Sequence, residues 1–399
     1  MKTPLFNWIL LIVFGIISIA VFTFSLIFPA FRVQAYAPLR ELISPEPAPI
    51  EITIYYGTEK HDWLIQMRDD FLTSNPRVDG HPIKITLEGL GSREMILAVL
   101  DGSIQPTVLS PASSLQISLF QDLSEQKFGA SMVNLANTEL CQSLVETPLV
   151  LVAWQERADA LWGTNPGDEL WNGLFDAATN PQGWGAYGHP DWGFFKFGHT
   201  NPLKSNSGFM TTILMAYEFH QKSSGLTTAD IQNPHFQAWF TELESSITEF
   251  GDSTGTYMRD IIAYGPSKYD MVAVYESVAI EQAENAIGRY GELYIYYPPR
   301  TLMSDHPYCI LNAGWVSPQE REAAQLFLSY LLSEPAQTSA IYDFGFRSVD
   351  PSIALDLQDS PFLTLATNGI RITNLPEEVE VPQGQVLDAL LDYWARQID

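Results

Sequence analysis

The sequence predicts an α/β protein in which helices cover a mostly parallel sheet, preceded by one N-terminal transmembrane helix. Two observations carry this prediction. Residues 5–30 contain no charged side chain, and about 20 apolar residues are enough for a helix to cross a bilayer. From residue 51 onward, short β-branched and aromatic runs alternate with stretches whose apolar residues have helical spacing. Such alternation is typical of parallel strands joined by crossover helices.

The composition excludes several classes of protein. The chain has 399 residues, and its 21 lysines and arginines stand against 47 aspartates and glutamates, a formal net charge of −26. A nucleic-acid binder needs a basic surface to pair with phosphates, so that class is excluded. Cys141 and Cys309 are the only cysteines. Two cysteines exclude a disulfide-rich scaffold and a cysteine-rich zinc or iron–sulfur module, and leave the redox compartment open.

The N-terminal segment indicates where the chain works. We predict that residues 5–30 form a transmembrane signal anchor, because the apolar region of a cleaved signal peptide usually has only about 7–15 residues. Residues 31–49 are predicted to be a proline-rich linker, since proline recurs at positions 45, 47 and 49. The prediction is a single-pass protein of the cell membrane with most of the chain extracytoplasmic. The small residues around Tyr36 leave cleavage after Ala37 as the alternative.

Three early strand–helix units place polar residues where ligands bind. Residues 52–56, 83–87 and 107–109 are predicted strands, each followed by a loop and a helix. Ligands of open parallel sheets lie beyond the carboxyl ends of the strands, and the N–H groups that begin each helix suit an anion or another polar group. The alternative for each loop is simple helix capping. The loops contain these candidate residues: Thr58, Glu59, Gly91, Ser92, Ser113 and Ser114.

Two later segments have the same character. Ser205, Asn206 and Ser207 stand before Gly208 and a helically spaced apolar run, which predicts another helix that begins with hydroxyl groups. An ordinary capped surface helix is the alternative. Glu276 follows the apolar strand predicted at 271–275, where it could contact a cationic group or cap the next helix.

With these motifs in view, residues 51–399 resemble the bacterial extracellular solute-binding proteins of the type II periplasmic-binding class, which serve as substrate-binding proteins of ABC transporters. The resemblance rests on residues 55–58, 91–92, 200–202 (which adds Asn201), 205–208, 274–277 and 345–347. It implies two α/β lobes that close around a solute. By the resemblance, the chain crosses at 149–154 and returns near 297–311, so that lobe 1 comprises residues 50–149 and 305–399 and lobe 2 residues 150–304.

The prediction is therefore a membrane-tethered extracytoplasmic solute-binding protein that captures a small polar solute for a transporter or sensor. An oxyanion suits the helix starts, but the net charge of −26 opposes anion capture at low salt and leaves the class of solute open. Its partners are the solute, a membrane permease or sensor, and the membrane itself. We predict no catalytic residue, metal, cofactor or nucleic-acid partner. Thr58, Ser92, Ser113 and Ser114 are predicted to line one wall of the site, and the other wall comprises Ser205, Asn206, Ser207 and Glu276. Glu59, Gly91 and Asn201 are further candidate ligand-binding residues. A ligand-free scaffold or interaction protein, its cleft filled by tryptophans, is the alternative.

Three weaker motifs do not change this interpretation. Residues 251–255 match G-x-S-x-G, but helical spacing precedes them, whereas a nucleophile elbow follows a strand. Gly89 and Gly91 lack the third glycine of a dinucleotide site, because Glu94 occupies that position. His189 and His199 do not have the spacing of a metal motif. The tryptophans at 154–192 are predicted to be core residues, with sugar stacking as the alternative.

Overall fold

The computed structural model describes residues 4–27, 46–162 and 170–398. Of these, residues 4–27, 46–49 and 79–82 belong to one compact unit, and residues 50–78 with those from 83 onward form a second. Helix α1 (Pro4–Ile27) lies in the first unit. Among the helices of the described residues, none has the length and apolar character that crossing a membrane requires. Ala37 and most of the predicted linker lie outside the described residues.

The second unit contains the remaining elements in an alternating order. Its helices are α2 (His61–Thr73), α3 (Ser92–Asp101), α4 (Ser114–Phe128), α5 (Gln155–Leu161), α6 (Leu170–Thr179), α7 (Asn206–His220), α8 (Thr228–Ile231), α9 (Pro234–Ser245), α10 (Thr254–Tyr264), α11 (Glu276–Ala286), α12 (Pro318–Leu331), α13 (Glu334–Tyr342), α14 (Pro361–Thr364) and α15 (Gly384–Gln397). Its strands are β1 (Ile50–Tyr56), β2 (Arg77–Val78), β3 (His81–Gly89), β4 (Val108–Ser110), β5 (Cys141–Ser143), β6 (Val145–Trp154), β7 (Phe197–Gly198), β8 (Met271–Tyr275), β9 (Leu293–Tyr296), β10 (Arg300–Thr301), β11 (Met303–Ser304), β12 (Pro307–Ile310), β13 (Arg347–Ser348) and β14 (Glu377–Glu378).

The first lobe is built on a six-stranded sheet in the order β2-β3-β1-β4-β12-β5. Strands β3, β1 and β4 are parallel, and Tyr56 is paired with Gly89 on one side and with Ser110 on the other. The carboxyl ends of these three strands therefore reach the same edge of the sheet. Strand β12 runs antiparallel to β4 and β5, and a disulfide between Cys141 and Cys309 joins β5 to β12.

The second lobe is built around strand β6. This strand pairs antiparallel with β8 and β9, and β8 pairs in parallel with β7. Strand β6 belongs to both lobes, because Val145 packs in the core of the first and residues 149–154 pack in the core of the second. The two-lobed α/β architecture predicted for the body of the chain is confirmed.

The C-terminal residues divide between the lobes in a way that the sequence did not indicate. The predicted boundaries assign all of 305–399 to lobe 1. In the structure, Phe346 packs with the first-lobe core, whereas Phe362 and Trp394 pack with the core of the second lobe. Helix α15 is amphipathic, and its apolar face is buried in that second core. The chain therefore passes between the lobes a third time, where β13 pairs with the start of β6.

The tryptophans that follow β6 lie mainly inside the second lobe. Trp154, Trp171 and Trp184 are all buried in its core. The Trp184 indole N–H donates to the buried Asp270 carboxylate over 3.0 Å. The predicted core role of these side chains agrees with this packing, since each large aromatic surface is covered and the polar N–H of Trp184 has a partner.

We expect the Trp394→Ala variant to destabilise the second lobe selectively. The indole is buried and donates from Nε1 to Glu244 over 2.6 Å, and removing such a side chain typically costs about 3–5 kcal/mol. Native-state hydrogen exchange should accelerate in α7 and α9 but not in α2 and α12. Trp315→Ala, in the first lobe, is the matched control. Faster exchange in α2 and α12 of the Trp394 variant would contradict this assignment of the C-terminal helix.

Candidate functional site

The first wall of the candidate site lies at the carboxyl edge of the first-lobe sheet. Thr58 follows β1, and Gly91 and Ser92 begin α3 directly after β3. The Ser92 hydroxyl accepts a hydrogen bond from the backbone N–H of Ala112 over 2.9 Å, which ties two of the loops together. Ser113 is the N-cap of α4, and its hydroxyl accepts from the backbone of the helix. Ser113 therefore caps a helix and also lies at the predicted sheet edge, so the two interpretations of this loop do not exclude each other.

The second wall is the first turn of α7, in the second lobe. Ser205 is the N-cap residue, and Asn206, Ser207 and Gly208 are all buried behind it. The Ser207 hydroxyl lies 2.7 Å from both the Thr200 and the Thr254 hydroxyl oxygens. This network satisfies the Ser207 hydroxyl within the second lobe itself, so Ser207 holds the helix start in place.

The two walls meet through their backbones. The Arg93 N–H donates to the carbonyl oxygen of Lys204 over 3.0 Å. A Cβ at Gly91 would lie 2.7 Å from the same Lys204 oxygen, and a Cβ at Gly255 would lie 2.8 Å from the Thr58 carbonyl oxygen. Both glycines therefore permit an approach of the lobes that any larger residue would obstruct. The structure brings together predicted loops from separate parts of the sequence.

A chain of amide and phenol groups crosses the same contact. The Gln116 side-chain Nε2, on α4, donates to Asn206 Oδ1 over 3.0 Å, and Asn206 Nδ2 donates to the Tyr275 hydroxyl over 2.9 Å. Tyr275 is the last residue of β8. Burial raises the pKa of Tyr275 well above its usual value, so its hydroxyl stays protonated and can both donate and accept. All three side chains are buried.

An ionic cluster is buried beside these groups. Lys60 Nζ lies 3.0 Å from Glu59 Oε1 and 3.3 Å from His306 Nδ1, and it donates to the Pro111 carbonyl oxygen over 3.1 Å. Burial alone would raise the pKa of Glu59, but the charge of Lys60 and the hydrogen bond with His306 lower it to about 2. Burial and the neighbouring Lys60 lower the pKa of His306, which favours the neutral imidazole. The positive charge of Lys60 therefore compensates the carboxylate of Glu59.

Two other predicted residues, Ser114 and Asn201, have structural partners. The Ser114 backbone N–H and hydroxyl both donate to the carboxylate of Asp305. Asn201 Oδ1 accepts from the backbone N–H of Leu203 and so shapes the turn before α7.

Glu276 is ion-paired with a distant residue. Arg347 Nη2 and Nε lie 2.7 Å and 2.8 Å from its two carboxylate oxygens, and the Tyr297 hydroxyl donates to it as well. Glu276 was predicted either to contact a cationic group or to cap the next helix. The cationic group that it contacts in the structure is Arg347 of the same chain. The pair joins the start of α11 to β13, on the third passage between the lobes.

Several buried polar atoms at the first-lobe edge lack a protein partner. Within the described residues, Thr58 Oγ1, Ser110 Oγ and Gln116 Oε1 accept or donate no hydrogen bond. Ser110 ends β4, beside Tyr56 at the end of β1, and Gln116 lies in the first turn of α4. Buried polar atoms in folded proteins are almost always paired with protein groups or with ordered water, so these three atoms are candidates for contact with water or with a ligand.

Sequence reasoning missed five residues of this region: Lys60, Ser110, Gln116, Tyr275 and His306. Tyr275 lies within one of the recognised motifs, and Gln116 lies three residues after the predicted cap at Ser113, so both carried a usable signal. His306 carried none, because its contact with Lys60 joins positions 246 residues apart.

Comparison with known proteins gives a consistent result. Residues 52–347 match the family described as bacterial extracellular solute-binding protein. A periplasmic thiamin-binding protein superposes with a TM-score of 0.60 at 12% identity, covering 89% of this chain and 99% of its own. No curated protein matches the chain in sequence.

Two further solved structures are similar. The substrate-binding protein of an ABC transporter from Agrobacterium tumefaciens has a TM-score of 0.58 at 13% identity, covering 90% of this chain and 96% of its own. The sulfate-binding protein of Mycobacterium tuberculosis has a TM-score of 0.53 at 17% identity, covering 86% of this chain and 96% of its own. At such identities the likeness shows a shared fold.

We expect Glu59→Gln to be strongly destabilising. The substitution leaves the Lys60 ammonium buried without its counter-charge, and breaking a buried pair in this way typically costs about 3–5 kcal/mol in the free energy of unfolding. Adding Lys60→Met to the same chain should recover part of the loss. Urea denaturation at neutral pH measures both effects.

Glu51→Gln is the matched control, because the Glu51–Lys84 pair is exposed and should contribute no more than about 1 kcal/mol. Equal costs for the Glu59 and Glu51 variants would show that the buried pair does not stabilise the first lobe.

Proposed function

The chain belongs to the bacterial extracellular solute-binding protein family, and from this membership we propose that it captures a small polar solute between its two lobes and presents it to a membrane transporter or sensor. The family and the similar structures are binding proteins, and small-solute binding is the activity they share. The proposal adds three statements to this shared activity: the class of the solute, a transporter or sensor as partner, and the location of the chain.

The observation that carries the proposal is the set of buried polar atoms without partners at the contact between the lobes. Thr58 Oγ1, Ser110 Oγ and Gln116 Oε1 lie where the carboxyl ends of parallel strands and the start of α4 converge, and Gln116 also contacts Asn206 of the second lobe. A solute seated there would supply the missing partners. It would also contact groups from both lobes at once.

Closure of the lobes gives the binding mechanism. Strand β6 is shared by both cores, so rotation about it can separate or join the two walls. A solute that contacts both walls stabilises the closed form over the open one. The Arg93–Lys204 backbone contact and the Gln116–Asn206 amide contact join the lobes, and they would break on opening.

An oxyanion is the favoured class of solute. Helices α3, α4 and α7 all begin at the contact, and the dipole at a helix start favours negative charge. The first N–H groups of α3 and α4 contact Lys204 and Asp305 in this structure, so an anion would replace those partners. The Glu59 carboxylate is compensated by Lys60, so this residue adds no net negative charge to the cleft, whereas the Asp305 carboxylate lies at the start of α4. The net charge of −26 opposes anion capture at low salt, but ions screen it beyond about 10 Å at 0.1 M ionic strength.

The tryptophan-filled scaffold alternative is not favoured by the packing. It predicted tryptophan side chains in the cleft, whereas Trp154, Trp171 and Trp184 lie in the core of the second lobe. A thermal-shift screen of the full chain in detergent, against oxyanions, sugars and amino acids, tests the proposal. A specific stabilising solute is expected, and no shift across the whole panel would contradict solute binding.

We propose that the chain acts outside the cytoplasm and is held at the membrane by its N-terminal segment. The support for the tether is the uncharged run of residues 5–30 in the sequence. The Cys141–Cys309 disulfide supports export, because disulfides persist in oxidising compartments. We expect the full-length chain in the membrane fraction, with an intact N-terminus by mass spectrometry. A mature chain that begins at residue 38 would contradict the tether.

Closure can be tested at Gly91. In the closed arrangement a Cβ at this position would lie 2.7 Å from the Lys204 oxygen and clash with it. When the lobes are apart, the added Cβ would meet no such obstruction. We expect Gly91→Ala to weaken binding of the screened solute by about tenfold, the effect of some 1.4 kcal/mol, with little change in Tm. Calorimetry gives the affinity. In small-angle scattering with solute present, the Gly91→Ala variant should have a larger radius of gyration than the unchanged protein.

Gly314→Ala is the matched control, because a Cβ there would meet no atom within 4 Å. If both glycine variants bind the solute with the same affinity, the contact at Gly91 is not part of the closed state.

A further inference from the structure

We infer that the Cys141–Cys309 disulfide allows the first lobe to stay folded while the second lobe is unfolded, and that without it the two lobes unfold together. The basis is the position of the two cysteines along the chain and in the sheet. The inference concerns how the lobes depend on each other for stability, so it goes beyond the proposed solute binding and does not rest on it.

The first lobe is built from two separate stretches of the chain. Strand β12 lies between β4 and β5 in its sheet, but Cys141 of β5 and Cys309 of β12 are 168 positions apart in the sequence. The stretch between them contains β8, β9, α7 and α9 of the second lobe. Helices α12 and α13 follow β12 and pack in the first-lobe core. The first lobe is therefore complete only when the chain returns from the second.

Two connections bring the ends of this stretch together. One is the pairing of Thr147 with Ser304, between the start of β6 and β11. Because β6 continues into the second lobe and pairs there with β8 and β9, unfolding of that lobe removes the support for this pairing.

The other connection is the disulfide. Its two residues lie opposite each other in the β5–β12 ladder, and they pack in a core cluster of the first lobe with Leu109 and Phe120. This connection is covalent and lies inside the first lobe. It therefore holds β12 beside β5 whether or not the second lobe is folded.

The covalent connection matters because the enclosed stretch is long. When the second lobe is unfolded, residues 142–308 form a flexible loop between β5 and β12. Closing such a loop costs conformational entropy, and this cost grows with the logarithm of the loop length. A disulfide joins the two ends in the unfolded state as well, so folding of the first lobe does not have to close the loop again. Without the disulfide, the full entropy cost opposes the return of β12 and α12 to the first lobe.

The test follows urea unfolding of the full chain in detergent by pulsed hydrogen exchange, with α12 reporting the first lobe and α7 the second. Every protein compared carries Trp394→Ala, which removes a buried side chain from the second lobe. With the disulfide intact, we expect α7 to unfold first and α12 in a separate transition at higher urea. Adding Cys141→Ala and Cys309→Ala should lower the α12 midpoint by at least about 1 M urea, so that the two transitions coincide. Both cysteines are buried, so substitution is used in place of a reductant.

Val133→Ala is the matched control, because it removes a buried side chain from the same core cluster and leaves the disulfide in place. This variant should keep two separate transitions. The inference is overturned by a single transition in the disulfide-bonded protein, by two separate transitions in the cysteine-free protein, or by merged transitions in the Val133 variant. If the cysteine-free chain with Trp394→Ala does not fold, the cysteine-free chain with Trp394 intact takes its place, and separate transitions there overturn the inference in the same way.

Discussion

The structure depends on one strand, β6, that is a member of both lobes. Its start pairs with β13 and packs in the first-lobe core, and its remainder pairs with β8 and β9 inside the second. Because backbone N–H and C=O groups must stay paired along a buried strand, β6 cannot move independently of either lobe. Under the proposed closure, the lobes would move by bending near its first residues and at the two other passages of the chain. Such a hinge would return the same loops to the same contact each time the lobes meet.

That contact combines close backbone approach with compensated charge. Gly91 and Gly255 have no Cβ, so the carbonyl oxygens of Lys204 and Thr58 on the opposing loops can approach them to distances that a methyl group would obstruct. Beside them the Glu59 carboxylate is paired with the Lys60 ammonium, so this pair adds no net charge to a chain whose net charge is −26. Burying an ion pair costs desolvation free energy, and a hydrophobic pair of similar volume often gives equal stability. The pair lies in the turn directly after β1, next to Thr58, and the contacts of Lys60 with Pro111 and His306 hold that turn in place.

The sequence predicted local structure well and long-range partners poorly. The run at 271–275 matches β8 residue for residue, and the run at 52–56 lies within β1, because β-branched and aromatic residues favour strands wherever both faces are covered. The loops after β1, β3 and β4 could be placed at one sheet edge because parallel strands end together. The Glu276–Arg347 pair, the Lys60–His306 contact and the docking of α15 on the second lobe could not be predicted. Each depends on which distant surfaces pack together, and periodicity along the chain contains no information about that.

The serine hydroxyl groups that first indicated a site form hydrogen bonds within the protein. Ser92, Ser113 and Ser207 all stand at helix starts, and in the structure each hydroxyl bonds to a neighbouring loop, to its own helix or to another hydroxyl. Capping and recognition compete for the same atoms, so a run of serines identifies the region without identifying the contacts. Among the described residues, the buried polar atoms that remain without a partner include those of Thr58, Ser110 and Gln116. Two of the three can adapt to any polar partner by rotating an O–H bond, whereas the amide is held by Asn206.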